Sequence, residues 1–173
     1  MKKLFVIILL LILGGCSNGN KIEEKDTSKN ETIIKEEKEL KFVVAPQYEG
    51  KTSELIELGK KLVKEHPELG SEGNMALYFT GAISEGRAAL MLVNKTDVDI
   101  KKDLNFSISW SYDGKTIFDN QKVSYFIKDS GELPSHTATM ILLPLNEEQM
   151  KIVDGMSDPS KMVLRMSDVN AVE

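Results

Sequence analysis

Cysteine is nearly missing from this sequence: Cys16 is the only one in 173 residues. The folded part must therefore stand without an internal disulfide, a thiolate metal site or a cysteine nucleophile. Histidine is almost as scarce. His66 and His136 stand seventy residues apart, and neither falls in a metal or catalytic pattern. The chain has no Gly-x-Ser-x-Gly elbow, no Walker-type glycine loop and no His-Glu-x-x-His helix. Basic charge is not in excess either: 22 Lys and Arg face 27 Asp and Glu, for a net charge of −5. Nucleic acid and anionic head groups gain no long-range attraction from such a chain, so no nucleic-acid partner is expected. The unbroken run of Leu, Ile, Val and Phe from Leu4 to Leu13 spans ten residues, about half of what a membrane-crossing helix needs.

That short run makes sense in its setting. Met1-Lys2-Lys3 gives it a basic start, and Gly14, Gly15 and Cys16 follow it before polarity rises at Ser17-Asn18-Gly19-Asn20. A basic start, a short apolar core and small residues before a cut site describe an export signal. A buried helix of a cytoplasmic protein would instead show a polar face. The segment Leu13-Gly14-Gly15-Cys16 resembles the lipobox of bacterial lipoproteins. The resemblance implies diacylglycerol on the sulfur of Cys16, cleavage before that residue by signal peptidase II, and often acylation of the new amino terminus. Two or three acyl chains hold a protein stably where one holds it only marginally. A leader over residues 1–15 leaves 158 residues, and the loss of Lys2 and Lys3 takes the mature net charge to −7.

Residues 16–40 read as a lipidated, disordered tether. From Ser17 to Leu40 half the side chains are charged, both signs are mixed, and none is aromatic. Such a segment buries too little apolar surface to offset its ordering entropy. As a coil its span is roughly 25–30 Å, and at full stretch about 80 Å.

One folded domain is expected over residues 41–173. Lys41 to Ala45 reads as a strand ended by Pro46, and Thr52 to Glu65 as a helix with Leu55, Ile56, Leu58, Leu62 and Val63 on one side. Thr52 or Ser53 can cap its start, and Pro67 disfavours continuation past His66. Strands then fill residues 74–170. The clearest is Leu104 to Tyr112, where Leu, Phe, Ile, Trp and Tyr alternate with Asn and Ser. Asp113-Gly114 signals a hairpin leading to Thr116-Ile117-Phe118. Met75–Ile83, Arg87–Val93, Lys122–Ile127, Thr137–Leu143 and Lys161–Met166 are the other candidates. Asn146 and Gln149 form a capping-box pattern for a short helix over Glu147 to Asp154, closed by Gly155. The fold class is thus mainly β with some α: an antiparallel sandwich preceded by one helix, with a short helical insertion.

The order of elements from Met75 to Met166 resembles immunoglobulin-like domains of Gram-positive surface proteins and lipoproteins, including the S-layer-associated kind. The residues behind the likeness are the strand ending in Val93-Asn94-Lys95-Thr96, the stretch Ile117 to Phe126, and Gly131-Glu132-Leu133-Pro134 with the apolar strand after it. The resemblance implies an immunoglobulin-like β-sandwich serving as a binding or structural module, without catalytic residues.

Candidate chemistry is sparse. Asp97, Asp99 and Asp103 have ligand-like spacing, but an EF-hand loop needs glycine and glutamate where Lys102 and Ile108 stand. Their alternation with Val98 and Ile100 reads as a strand or turn with a solvated face. Glu132, Glu147, Glu148 and Asp154 could serve glycoside cleavage only if folding paired them about 5–9.5 Å apart. Met75, Met91, Met140, Met162 and Met166 lie in strand candidates, where thioethers fill cores. Hence Cys16, as the lipidation site, is the one residue given a role, with no catalytic residue, metal or cofactor expected. The leading expectation is a non-catalytic binding or structural module of the cell envelope, lipid-anchored on the extracytoplasmic face of the cell membrane of a Gram-positive bacterium. Its partners would be the membrane, through Cys16, and an envelope protein. The alternatives are a small-ligand-binding lipoprotein for transport or sensing, and a cell-envelope hydrolase.

Overall fold

The computed structural model describes residues 38–172. The expected leader over 1–15, Cys16 and the expected tether as far as residue 37 lie outside the described residues, as does Glu173.

Among the described residues the chain is mainly β, with two sheets and three α-helices. The strands are β1 (Lys41–Phe42), β2 (Met75–Ser84), β3 (Arg87–Asn94), β4 (Leu104–Tyr112), β5 (Lys115–Tyr125), β6 (Thr137–Pro144) and β7 (Met162–Ala171). The helices are α1 (Glu54–Glu65), α2 (Ile127–Ser130) and α3 (Glu147–Asp154). One sheet has the order β1-β6-β3-β2 and the other β5-β4-β7. All pairings are antiparallel except that of β1 with β6.

The period-two pattern of β4 explains how the sheets meet. Leu104, Phe106, Ile108, Trp110 and Tyr112 are buried on its inner face, where they join Leu77, Leu90, Leu92 and Leu143 of the facing sheet in one cluster. Removing each such side chain from water contributes about 1.5–3 kcal/mol before the entropy of ordering it is counted. Trp110 is 1% exposed, and its ring lies 4.9 Å from that of Phe79 on β2 and 5.9 Å from that of Phe118 on β5. Its indole Nε1 has no hydrogen-bond partner among the described residues.

A second, smaller cluster sits on the outer face of the first sheet. Val63 of α1 packs there with Leu40, Met91, Val93 and Ala138. Ser53 caps α1 by accepting from the Ile56 amide at 3.3 Å. Gly59 lies where α1 meets Phe42, so close that a Cβ would run into the ring. Leu40, the last tether residue by sequence, is 3% exposed, so the folded part begins before Lys41.

Several boundaries differ from the sequence reading. Only Lys41 and Phe42 of the expected first strand are in a ladder. Val43 adds one bond, from its amide to the Ala138 carbonyl, before a 3-10 turn at Pro46–Tyr48 carries the chain away. The two expected segments at Thr116–Phe118 and Lys122–Ile127 are one strand, β5, carried past an irregularity by Asn120 at φ 51°. Ile127 is not in it. The Asp103 carboxylate accepts the Ile127 amide at 2.8 Å and starts α2 instead. β7 runs past Met166 to Ala171 because pairing with β4 continues after the apolar pattern stops. The Asp113-Gly114 hairpin forms, with φ of 49° and 77°, a conformation glycine adopts at no steric cost. The Asn146–Gln149 capping box is also present.

Candidate functional site

The sandwich closes on one side and stays open on the other. β2 and β7 run alongside one another, whereas β5 and β6 do not. Two features plug the ends of the open side. At one end the Pro46–Tyr48 turn lies against α2. At the other, α3 lies against β5, and Gln149 donates to the Ile117 carbonyl at 2.6 Å. Between them is a cavity of about 550 Å³, lined on the core side by Phe106, Val123 and Tyr125 and on the helix side by Leu55 and Ile56. The last residues of β6 form its floor. A second depression of about 640 Å³ continues it past Val123 and Leu143 towards Gln149.

Tyr125 fixes one wall. Its hydroxyl donates to the Gly131 carbonyl at 2.9 Å, and burial pushes its pKa up to about 12. The cavity rim is polar, with Ser53, Ser124 and Ser130 among the residues that reach it. Apolar walls with a few polar groups are the usual make-up of a binding cleft.

A second group of residues gathers at the start of β6. The imidazole of His136 is 6% exposed and lies between two partners, Ser135 Oγ at 2.7 Å from Nδ1 and Glu72 Oε2 at 3.0 Å from Nε2. Lys95 stands 3.5 Å from the other oxygen of Glu72 and donates to the Pro67 carbonyl. The hydrogen bond to His136, with Lys95 close by, holds the Glu72 carboxyl below its ordinary value. A serine, a histidine and a glutamate in line have the make-up of a hydrolytic triad. Their other bonds argue against that role. Ser135 donates its hydroxyl proton to the Thr96 carbonyl at 2.7 Å and its amide to Asp99 at 3.0 Å. Neither described cavity reaches Ser135. The group ties three loops together.

Asn94 does the same work next to it. Fully buried, it donates to the carbonyls of Val98, Leu133 and Pro134 and accepts from the amide and hydroxyl of Thr96. The acidic residues noted in sequence belong to this framework. Asp99 accepts the Ser135 amide, which lowers its pKa, and Lys101 adds to the effect. Asp97 pairs with Lys38, and Asp103 starts α2. No group of three or more metal-ligating side chains occurs among the described residues.

The remaining candidates separate. His66 caps the end of α1 and bonds Glu68 at 3.1 Å, far from His136 in role. Glu132, Glu147, Glu148 and Asp154 are exposed. Met75, Met162 and Met166 pack against the large core and Met91 is buried in the small one, while Met140 faces the cavity. Sequence reasoning passed over Glu72 and Ser135. The adjacency of Ser135 and His136 was a visible signal, but nothing local pointed to a partner 64 residues away. No family model, curated protein or solved structure matches this chain.

Proposed function

We propose that this chain is a lipid-anchored, non-catalytic binding or structural module of the cell envelope, with an immunoglobulin-like sandwich as its working part. The anchor reading rests on Leu13-Gly14-Gly15-Cys16 directly after ten apolar residues. The sandwich reading is supported by the chain passing between sheets after β3, after β5 and after β6, as Greek-key connections do. One observation carries the non-catalytic reading. The polar cluster that comes nearest to catalytic geometry, Ser135-His136-Glu72, spends its bonds on loop backbone and on Lys95.

The test uses photo-cross-linking in intact cells from several surface positions, followed by mass spectrometry of what is joined. Recovery of a defined protein partner is the expected result. Recovery of lipid alone would count against the module. The anchor is tested separately: Cys16→Ala should leave an uncleaved precursor that takes up no labelled palmitate. A cleaved, membrane-held Cys16→Ala protein would refute lipidation. The 550 Å³ cavity favours one second reading, capture of a small apolar molecule for transport or sensing. A small molecule that copurifies in stoichiometric amount would select it.

A further inference from the structure

The floor of the open side is a sheet edge. β3 pairs with β6 along its whole length, from Arg87↔Pro144 to Asn94↔Thr137. Among the described residues the other side of β6 is covered only at its start, where β1 pairs with Thr137 and Ala138. Lys41 donates to the His136 carbonyl and Val43 to the Ala138 carbonyl, so His136 and Ala138 turn their backbone groups towards β1. In an antiparallel ladder those directions alternate residue by residue. Met140 and Leu142 therefore also point their amides and carbonyls away from β3, into the slot. β1 does not reach them. The Val43 carbonyl accepts from the Thr139 hydroxyl at 3.1 Å, and the chain turns off at Pro46.

Resting on the reading of this chain as a binding module, we propose that the edge of β6 at Met140–Leu142 takes up an extended segment of another polypeptide, which adds as a strand. The spacing of the free groups selects that occupant. Two amides and two carbonyls recur every second residue, about 6.4–6.8 Å apart, a pattern that another backbone matches and a small apolar molecule does not. The edge also continues a ladder that this chain itself begins, since β1 shows how a strand seats on β6. An added strand would send alternate side chains towards Phe106, Val123 and Tyr125 on one face and towards Leu55 and Ile56 on the other. Those walls suit valine, isoleucine or threonine at the centre of the segment. The net charge of −7 expected of the chain without residues 1–15 favours lysine or arginine at its ends.

The test follows amide hydrogen exchange by NMR on the full chain. The probe is a synthetic peptide of alternating valine and threonine with a lysine at each end. Without peptide the Met140 and Leu142 amides should exchange faster than those of Thr139 and Ile141, which face β3. At saturating peptide they should slow by at least about tenfold, as expected when each gains a hydrogen bond. The same peptide N-methylated at alternate residues should bind at least about tenfold more weakly, because its edge-facing donors are gone. Peptide binding that leaves both amides unchanged would overturn the proposal, as would equal affinity for the N-methylated form. Protection that grows with protein concentration in the absence of peptide would give the edge to a second copy instead. The module reading fails on different evidence. A partner cross-linked in cells from other surface positions but never from Met140 or Leu142 would sink this proposal and leave the module standing. No polypeptide cross-link from any position would sink the module, even if the probe adds to β6.

Discussion

Asn94 shows how much one buried side chain can hold. Its amide nitrogen meets three carbonyls at 2.9, 3.0 and 3.1 Å, and its oxygen takes two donors from Thr96. Asn94→Ala should cost about 3 kcal/mol, because several buried backbone groups lose their partner at once. Asn94→Asp should not rescue it, since a carboxylate has no proton to give to the three carbonyls. Urea unfolding followed by the fluorescence of Trp110, the only tryptophan, measures both. A loss under about 0.5 kcal/mol in either variant would show that the loops hold without this hub.

At the scale of elements, α1 and β1 lock together through an absence. Glycine inside a helix normally costs about 1 kcal/mol relative to alanine. Gly59 nevertheless sits in α1 because the Phe42 ring occupies the place of its side chain. Gly59→Ala should therefore destabilise the domain by about 1–2 kcal/mol, by overpacking against that ring. In a Phe42→Ala background the same change should turn neutral or stabilising. Equal effects in the two backgrounds would show that the ring is not the cause.

Legibility in the sequence followed the same division. β4, α1 and α3 could be read almost to the residue, since each carries its own periodicity and its own cap or turn. The ends of β1, β5 and β7 could not. β1 stops where the chain is drawn towards α2, β5 passes through a positive-φ asparagine, and β7 is extended by its neighbour β4 rather than by its own pattern. The open edge of β6 was hidden for a related reason. Thr137 to Leu143 reads as a strand whether or not anything covers it, and coverage is decided by where β1 turns away. The meeting of Glu72 with His136 was equally invisible, being set by the approach of two loops.

At the scale of the whole molecule, charge sets stability at both ends of the pH range. Glu72 and Asp99 have folded-state values below their unfolded ones, so the stability they add is complete above the ordinary carboxylate range. It is lost as pH falls through their depressed values. Tyr125 works from the other side. Its value is raised from 10.0 to about 12, so folding keeps it neutral while the unfolded chain ionises, and stability falls between those two pH values. Tyr112 shifts in the opposite sense, its hydroxyl oxygen accepting the amides of Ser157 and Asp158. The comparison with Tyr125→Phe isolates the first effect. The urea midpoint of the parent should drop more steeply from pH 10 to 12 than that of Tyr125→Phe. Parallel curves would refute the assignment.

The entry of the chain through β1 has a mechanical consequence. If Cys16 is held in a membrane, any pull on the domain arrives at Lys38 and is passed first to Leu40 and the two-residue ladder of β1. That is the shortest pairing in either sheet, and it borders the free stretch of β6. Peeling it would free the carbonyls of His136 and Ala138 and lengthen the open edge from Met140–Leu142 back to the start of the strand. A pull along the chain from its amino-terminal side would thus act on the same thin seam that borders the open edge of β6.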